Sequence, residues 1–465
     1  MTLATDAVGI ARAGIAAVDP RRRVAEVLRK GVDALAGVGG TRGARRSDPL
    51  KVFAFGKAAE AMVLGARDAL GDRIVGGVLV VRDRPRRPIP GFEIHVGEHP
   101  VPGPGSFRAG QAMERAVRAI GPGERVLFLV SGGSSSLLEL PATGLRGSDL
   151  ARTDALLLGS GAPIGATNVL RRHLSAIKGG RLAEATRARV GVTLAISDVL
   201  GDRPWDIGSG PTVADPTTYV EALDAARTYR ILDRLPKAVR GHLERGVRGL
   251  LDETPKPGRS GADRFPFHLV ASNAIAVSAS VAEAGRRGYR AHRLPVPITG
   301  EAADVGRWFG GVLAALSTGP PIGPFALVGG GETTVTLSER PGVGGRNQEL
   351  ALAAVGALAG VEGVACLSVG TDGIDGRTRA AGAVVTGRTA EDAAHRGVDL
   401  AQALARHDSH PTLARLGALV VTGPTGTNVS DLFVGLGGGP PAPARTSRGS
   451  SPPRRVARAS RRRRS

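Results

Sequence analysis

Cysteine is almost absent: Cys366 is the one thiol in 465 residues. That excludes an internal disulfide and a cysteine-based metal site within one chain, and suits a reducing cytoplasm. Aromatic residues make up 3%. The core must therefore be built from Val, Leu, Ile and Ala, as in parallel sheets covered by helices, and few rings are available to stack nucleobases. No apolar run is long enough to span a bilayer. The first residues lack the order of a signal peptide. Asp6, Arg12 and Asp19 interrupt the apolar stretch, and Arg21-Arg22-Arg23 follow it rather than precede it. Val8, Ile15, Val18 and Val24 recur at helical spacing and predict an amphipathic first helix. Lysine is scarce too, with six among 62 basic residues. A lysine kept at a special place is one where a compact ammonium matters.

What is present is a globular composition, 42% apolar, in a chain long enough for two α/β domains. The formal charge is +20. Residues 438–465 hold nine arginines and no acids, so the rest carries 20 − 9 = +11. This Pro/Ser/Arg-rich end is expected to be a disordered tail and confines nonspecific nucleic-acid binding to itself. The moderately basic body suits anionic metabolites.

Up to about residue 250, apolar strands alternate with helical patterns. The strands are predicted at Lys51–Phe55, Gly77–Val81, Phe92–Val96, Arg125–Val130 and Val192–Ile196. The helices fall at Ala58–Leu70, Ser106–Ile120 and Asn168–Ala188. Such alternation indicates an α/β fold with a Rossmann-like, doubly wound parallel sheet over residues 5–250. Residues 251–263 read as a linker or long loop. A second α/β series occupies 264–437. Its strands are predicted at His268–Ala271, Arg290–Leu294, Ala326–Val328, Thr333–Leu337, Ala365–Val369 and Leu419–Thr422.

The strand ends carry the chemistry. Phe55-Gly56-Lys57-Ala58 places a glycine and a lysine where a helix starts, an arrangement that attracts anions. It is not a Walker A loop, because Ala58 stands where Ser or Thr is required. Ser131-Gly132-Gly133-Ser134 follows the fourth strand with bare backbone and hydroxyls, suited to phosphate oxygens. Lys178 lies in Ile177-Lys178-Gly179-Gly180 and is a further phosphate candidate. Asp198, just past Val192–Ile196, sits where open α/β sheets hold ligands and Mg²⁺. Gly330-Gly331-Glu332-Thr333 and Arg346-Asn347 add a second group: Arg346 can fork onto an anion, and Asn347 can bind or cap. Asp372 and Asp375, in Gly370-Thr371-Asp372-Gly373-Ile374-Asp375-Gly376, suit Mg²⁺ or a general base. Together these loops point to phosphoryl transfer.

The set FGKAAEAM, GEHPVPG, VSGGSSSLL, RRHLSAIKGGRLA, ISDVLGD, IGSGPT, GGGETTVT, GGRNQELAL, GTDGIDG and TGPTGTNVSDL resembles the glycerate 2-kinase family, in order over about residues 5–436. That family joins an N-terminal domain to a C-terminal MOFRL domain, here about 322–437. The resemblance implies ATP-dependent phosphorylation of D-glycerate at its 2-hydroxyl, a divalent metal (Mg²⁺), and a site in the interdomain cleft. It implies that Lys57, Arg346 and Asp372 form the active-site core. A homodimer is compatible with it. The arginine-rich end after Leu436 has no counterpart in the family pattern. Some relatives have been labelled hydroxypyruvate reductases, but a dehydrogenase should carry G-x-G-x-x-G after a strand, and none is present.

Overall fold

Val52–Phe55 and Leu127–Val130 are buried on both faces, as an interior strand between two helical layers must be. A computed structural model describes residues 2–31 and 49–439; the arginine-rich segment from residue 440 onward lies outside them. The first sheet has six strands: β1 Leu50–Phe55, β2 Ile74–Val81, β3 Phe92–Val96, β4 Arg125–Val130, β5 Val190–Ile196 and β6 Phe267–Ala271. All pair in parallel, in the order β3-β2-β1-β4-β5-β6. This is the expected Rossmann-like order, with its switch point between β1 and β4. Alternation along β1 accounts for the layers. Val52 and Ala54 cluster with Met62 and Val63 of the helix Ala59–Leu70, whereas Phe53 and Phe55 cluster with Met113 and Val117 of the helix Pro104–Arg118. Phe53 packs on Phe128 with ring centroids 5.6 Å apart. Each such buried side chain contributes roughly 1.5–3 kcal/mol.

The second sheet comprises β7 Arg290–Arg293, β8 Ile298–Glu301, β9 Phe325–Thr334, β10 Ala365–Gly370, β11 Gly382–Thr386, β12 Leu419–Val420 and β13 Asp431–Gly437. Its order is β12-β11-β10-β13-β9-β7, with β8 also on β9. β9 runs parallel to β7 and β8 and antiparallel to β13, so the sheet is mixed. Phe309, Leu313, Leu350 and Val355 cover one face; Ile10, Ala276 and Val277 cover the other with Leu432 and Val434. No helix among the described residues is long and apolar enough to cross a membrane.

Several expectations change. Val8 and Ile15 belong to a helix, Leu3–Ala17, but Val18 lies just past its end and Val24 in a second helix, Pro20–Lys30; the first of these packs on the second sheet, not within the first 250-residue unit. β6 pairs with β5, so the first sheet extends past residue 264. The stretch 251–263 is not a free linker. Glu253 accepts from the Tyr219 N–H at 2.9 Å, and Thr254 donates to Asp215 at 3.0 Å. The helix expected over Asn168–Ala188 is two, Ile164–Leu174 and Arg181–Ala185. Gly179 and Gly180 turn between them with φ of 58° and 86°, which only glycine adopts at low cost. A separate strand at Thr333–Leu337 does not form. β9 runs unbroken to Thr334, its last pairing with β8, and Leu337 is exposed.

Candidate active site

One wall is built by the first sheet. β1 runs into Gly56 at φ 121°, where a Cβ would stand 2.4 Å from the Ser131 carbonyl oxygen. The bare backbone lets the exits of β1 and β4 be stitched together: the Lys57 N–H donates to Gly132 O at 3.0 Å and the Ala58 N–H to Ser131 Oγ at 3.1 Å. The exposed Lys57 side chain lies over Gly133, its Cγ and Cε 3.0 Å from where a Cβ would be. His99 Cδ2 approaches the same point to 3.3 Å. A Cβ on Gly132 would lie 1.9 Å from Asp198 Oδ2. The loop thus draws Lys57, His99 and Asp198 to one place. Burial pushes the Asp198 carboxyl up to about 6; Lys57 opposes that and Glu332 adds to it. Burial, with the charges of Lys57, Arg82 and Arg171, pushes the His99 imidazole down to about 4. Ser134 Oγ is buried against Gly208 and has no hydrogen-bond partner among the described residues.

The other wall belongs to the second sheet. Arg346 opens the helix Arg346–Leu358. Its Nε and Nη2 donate to the two oxygens of Asp431 at 2.7 and 3.0 Å, and Nη1 donates to Glu332 at 2.7 Å. Burial works against the guanidinium charge, but Asp431 and Glu332 outweigh it and hold Arg346 charged. Burial pushes Asp431 up to about 6. Asp372 follows β10. One oxygen accepts from the Ile374 N–H at 3.0 Å, and the other has no partner among the described residues. Its pKa is raised by burial, against the pull of Lys57 and Arg346. The walls meet: Ser430 Oγ donates to the Asp198 carbonyl at 3.0 Å, while Lys57 acts on Asp372 and Glu332 on Asp198 across the cleft.

Lys57, Arg346, Asp372, Asp198, Glu332 and the Ser131–Ser134 loop therefore converge. Others do not. Lys178 is buried and ion-paired to buried Glu139, so its ammonium belongs to the core and not to a phosphate. Asp375 is buried and accepts from Asn347 N and Nδ2 and from Gln348 N and Nε2, at 2.9–3.2 Å. It caps the helix and has no site left for a metal. Asn347 is likewise fixed, donating to Asp375 and Asp431 and accepting from Ser368. Gly330 and Gly331 sit inside β9, paired with β13, and Gly330 makes room for Asn273, whose amide holds the Val429 and Asp431 carbonyls. Thr333 is buried and its hydroxyl lacks a partner among the described residues. Two residues escaped the motif reading. His99 was visible only as part of GEHPVPG. Asp431 was visible only as part of TGPTGTNVSDL.

Two family models match the chain. A domain of unknown function (DUF4147) matches residues 6–244, and the MOFRL family matches 325–431. A D-glycerate 2-kinase from Thermotoga maritima is 38% identical over 433 residues, 92% of this chain and 97% of the relative. A glycerate 2-kinase from Pyrococcus horikoshii is 38% identical over 387 residues, 83% and 86% of the two chains. An Agrobacterium vitis protein with a provisional hydroxypyruvate reductase name is 40% identical over 384 residues, 82% of this chain and 85% of that one. The crystal structure of the Thermotoga maritima glycerate kinase superposes with a TM-score of 0.81 at 37% identity, covering 93% of this chain and 99% of that one. The protein is thus an enzyme, and its class is that of the kinases. Within that class, the chain belongs to the glycerate 2-kinase family.

Proposed function

We propose that this enzyme transfers the γ-phosphoryl group of ATP to the 2-hydroxyl of D-glycerate, giving 2-phospho-D-glycerate and ADP. The observation that best supports this is the meeting of Lys57, from the first sheet, with Asp372 and Arg346, from the second, in one cleft. The unpartnered oxygen of Asp372 takes the hydroxyl proton. The freed oxygen bonds to the γ-phosphorus as the bond to the β–γ bridging oxygen breaks, and ADP leaves with that electron pair. Lys57 neutralises charge on the transferring group, and backbone N–H groups of Gly132, Gly133 and Ser134 orient phosphate oxygens. Arg346 faces the acid group of the acceptor.

Among the described residues no group of three or more His, Cys, Asp or Glu is placed to hold a metal, so a resident ion does not fit. A Mg²⁺ ion carried in by the nucleotide needs only one or two carboxylates beside phosphate oxygens and water, and Asp198 fits that lesser demand. The ion supplies charge neutralisation on the phosphates. The reductase reading lacks support: the turn after β1, Gly56-Lys57-Ala58-Ala59, carries one glycine where a dinucleotide site needs several.

The test is turnover with ATP, Mg²⁺ and D-glycerate, with the product identified by phosphorus NMR and by enolase, which accepts the 2-phosphate alone. ADP release with enolase-inert product would overturn the position of transfer. Hydroxypyruvate-dependent NAD(P)H oxidation without ADP release would overturn the kinase reading.

A further inference from the structure

Three carboxylate contacts converge on the one guanidinium of Arg346, and the two acids making them are unequal. Asp431 grips it through two oxygens, is itself held by Asn347 at 3.1 Å, and has a side chain only 1% exposed. Glu332 touches it through one oxygen, at 2.7 Å, with its side chain 44% exposed. A guanidinium has five N–H donors. Nε, one Nη2 hydrogen and one Nη1 hydrogen are engaged. Asp431 fixes the orientation of Arg346, and Glu332 covers the outward edge.

We infer that Glu332 is a placeholder: its side-chain carboxylate occupies the spot on Arg346 Nη1 where the carboxylate of the substrate docks, and leaves when substrate arrives. This inference rests on the proposed reaction and deepens it. The group that the outward edge of Arg346 holds is itself a carboxylate, so the subsite is matched to a carboxylate-bearing acceptor in size, charge and planarity. Exchange is cheap because an exposed single-contact ion pair is weakly held. Asp431 cannot exchange in this way, since its departure would leave Arg346 without its buried partner. Glu332 thereby sets a preference: an anionic ligand displaces it more readily than a neutral one.

The experiment compares the wild-type enzyme with Glu332→Ala and Glu332→Gln by calorimetric titration with D-glycerate and by steady-state kinetics. Removing the competitor should tighten D-glycerate binding about two- to fivefold, with KM for ATP unchanged. Equal or weaker D-glycerate binding in both variants, alongside normal wild-type turnover, overturns the placeholder and leaves the reaction standing. A raised KM for ATP also overturns it, because Glu332 would then serve the nucleotide's cation. If the wild-type enzyme neither binds nor phosphorylates D-glycerate, the functional reading fails by itself. The competition is then read with inorganic phosphate as the anionic probe, and absent or equal phosphate binding in wild type and variants overturns the placeholder as well.

Discussion

Replacing Lys178 by Met separates a core ammonium from a phosphate ligand. Lys178 and Glu139 have side chains 1% and 2% exposed. Removing the ammonium leaves a carboxylate in a site that water barely reaches. Breaking a buried pair from one side costs about 3–5 kcal/mol. Here the lower end applies, because Glu139 keeps two donors, Ser175 Oγ at 2.6 Å and the Leu140 N–H at 2.9 Å. The expected loss is therefore about 3 kcal/mol near neutral pH, measured by urea unfolding followed by circular dichroism. The pH dependence has a definite sign. Burial already raises the Glu139 pKa and Lys178 restrains that rise, so the variant raises it further. A carboxyl whose folded pKa lies above its unfolded one is penalised at high pH and relieved on acidification. The deficit of Lys178→Met should therefore shrink as pH falls toward the ordinary carboxylate range. The double variant Lys178→Met/Glu139→Gln should recover most of the loss, and folded enzyme of either kind should keep near-normal KM for ATP. A fully stable Lys178→Met protein with a sharply raised KM for ATP would refute the argument and return Lys178 to the phosphates.

Further outcomes are expected at the cleft. Lys57→Ala should lower kcat/KM by about 10²–10³-fold, the usual loss for removing one charge-stabilising donor, with unchanged urea stability because Lys57 is exposed. Asp431→Asn should depress kcat/KM by weakening the grip on Arg346. Stopped-flow or quenched-flow turnover should show the loss in the chemical step, and an unaffected rate would remove Asp431 from the positioning of Arg346. Asp198 has a folded pKa of about 6 against 3.8 for the free group. Its ionisation therefore costs stability that is present at low pH and lost as pH rises through about 6. The stability of Asp198→Asn relative to wild type should improve by about 2–3 kcal/mol from acid to alkaline pH, and pH-independent difference would contradict the burial of that carboxyl.

The first sheet is legible in the sequence because its central strands are apolar on both faces and are separated by helices of ordinary length. β8, β11 and β13 are not. Gly382–Thr386 and Asp431–Gly437 are short or broken by glycine, and their strand character comes from pairing with β10 and β9. The helix Leu3–Ala17 is visible as a periodic pattern, but periodicity does not say which sheet its apolar stripe will cover. Lys57, Arg346 and Asp372 stand at element ends, where local sequence shows them. Lys178 looks the same by rarity and glycine neighbours. What separates it is Glu139, distant in sequence, and no local pattern carries that partner. Asp375 resembles Asp372 for a similar reason: both are acids among glycines, and only the tertiary position of Asn347 and Gln348 turns one into a cap.

The placement of Leu3–Ala17 on the second sheet bears on how the molecule is made. Its neighbours there include Leu432 and Val434 of β13, and the loop ahead of β13 reaches back through Thr427 Oγ1 to the Val18 carbonyl at 3.0 Å. A chain emerging from the ribosome therefore exposes an amphipathic helix whose partner strand follows about 400 residues later. The first sheet can close on the nascent chain, whereas the second waits for β13. The helix Leu3–Ala17 and β13 are thus one folding unit, and the cleft acquires its Arg346–Asp431 clamp only once β13 has been made.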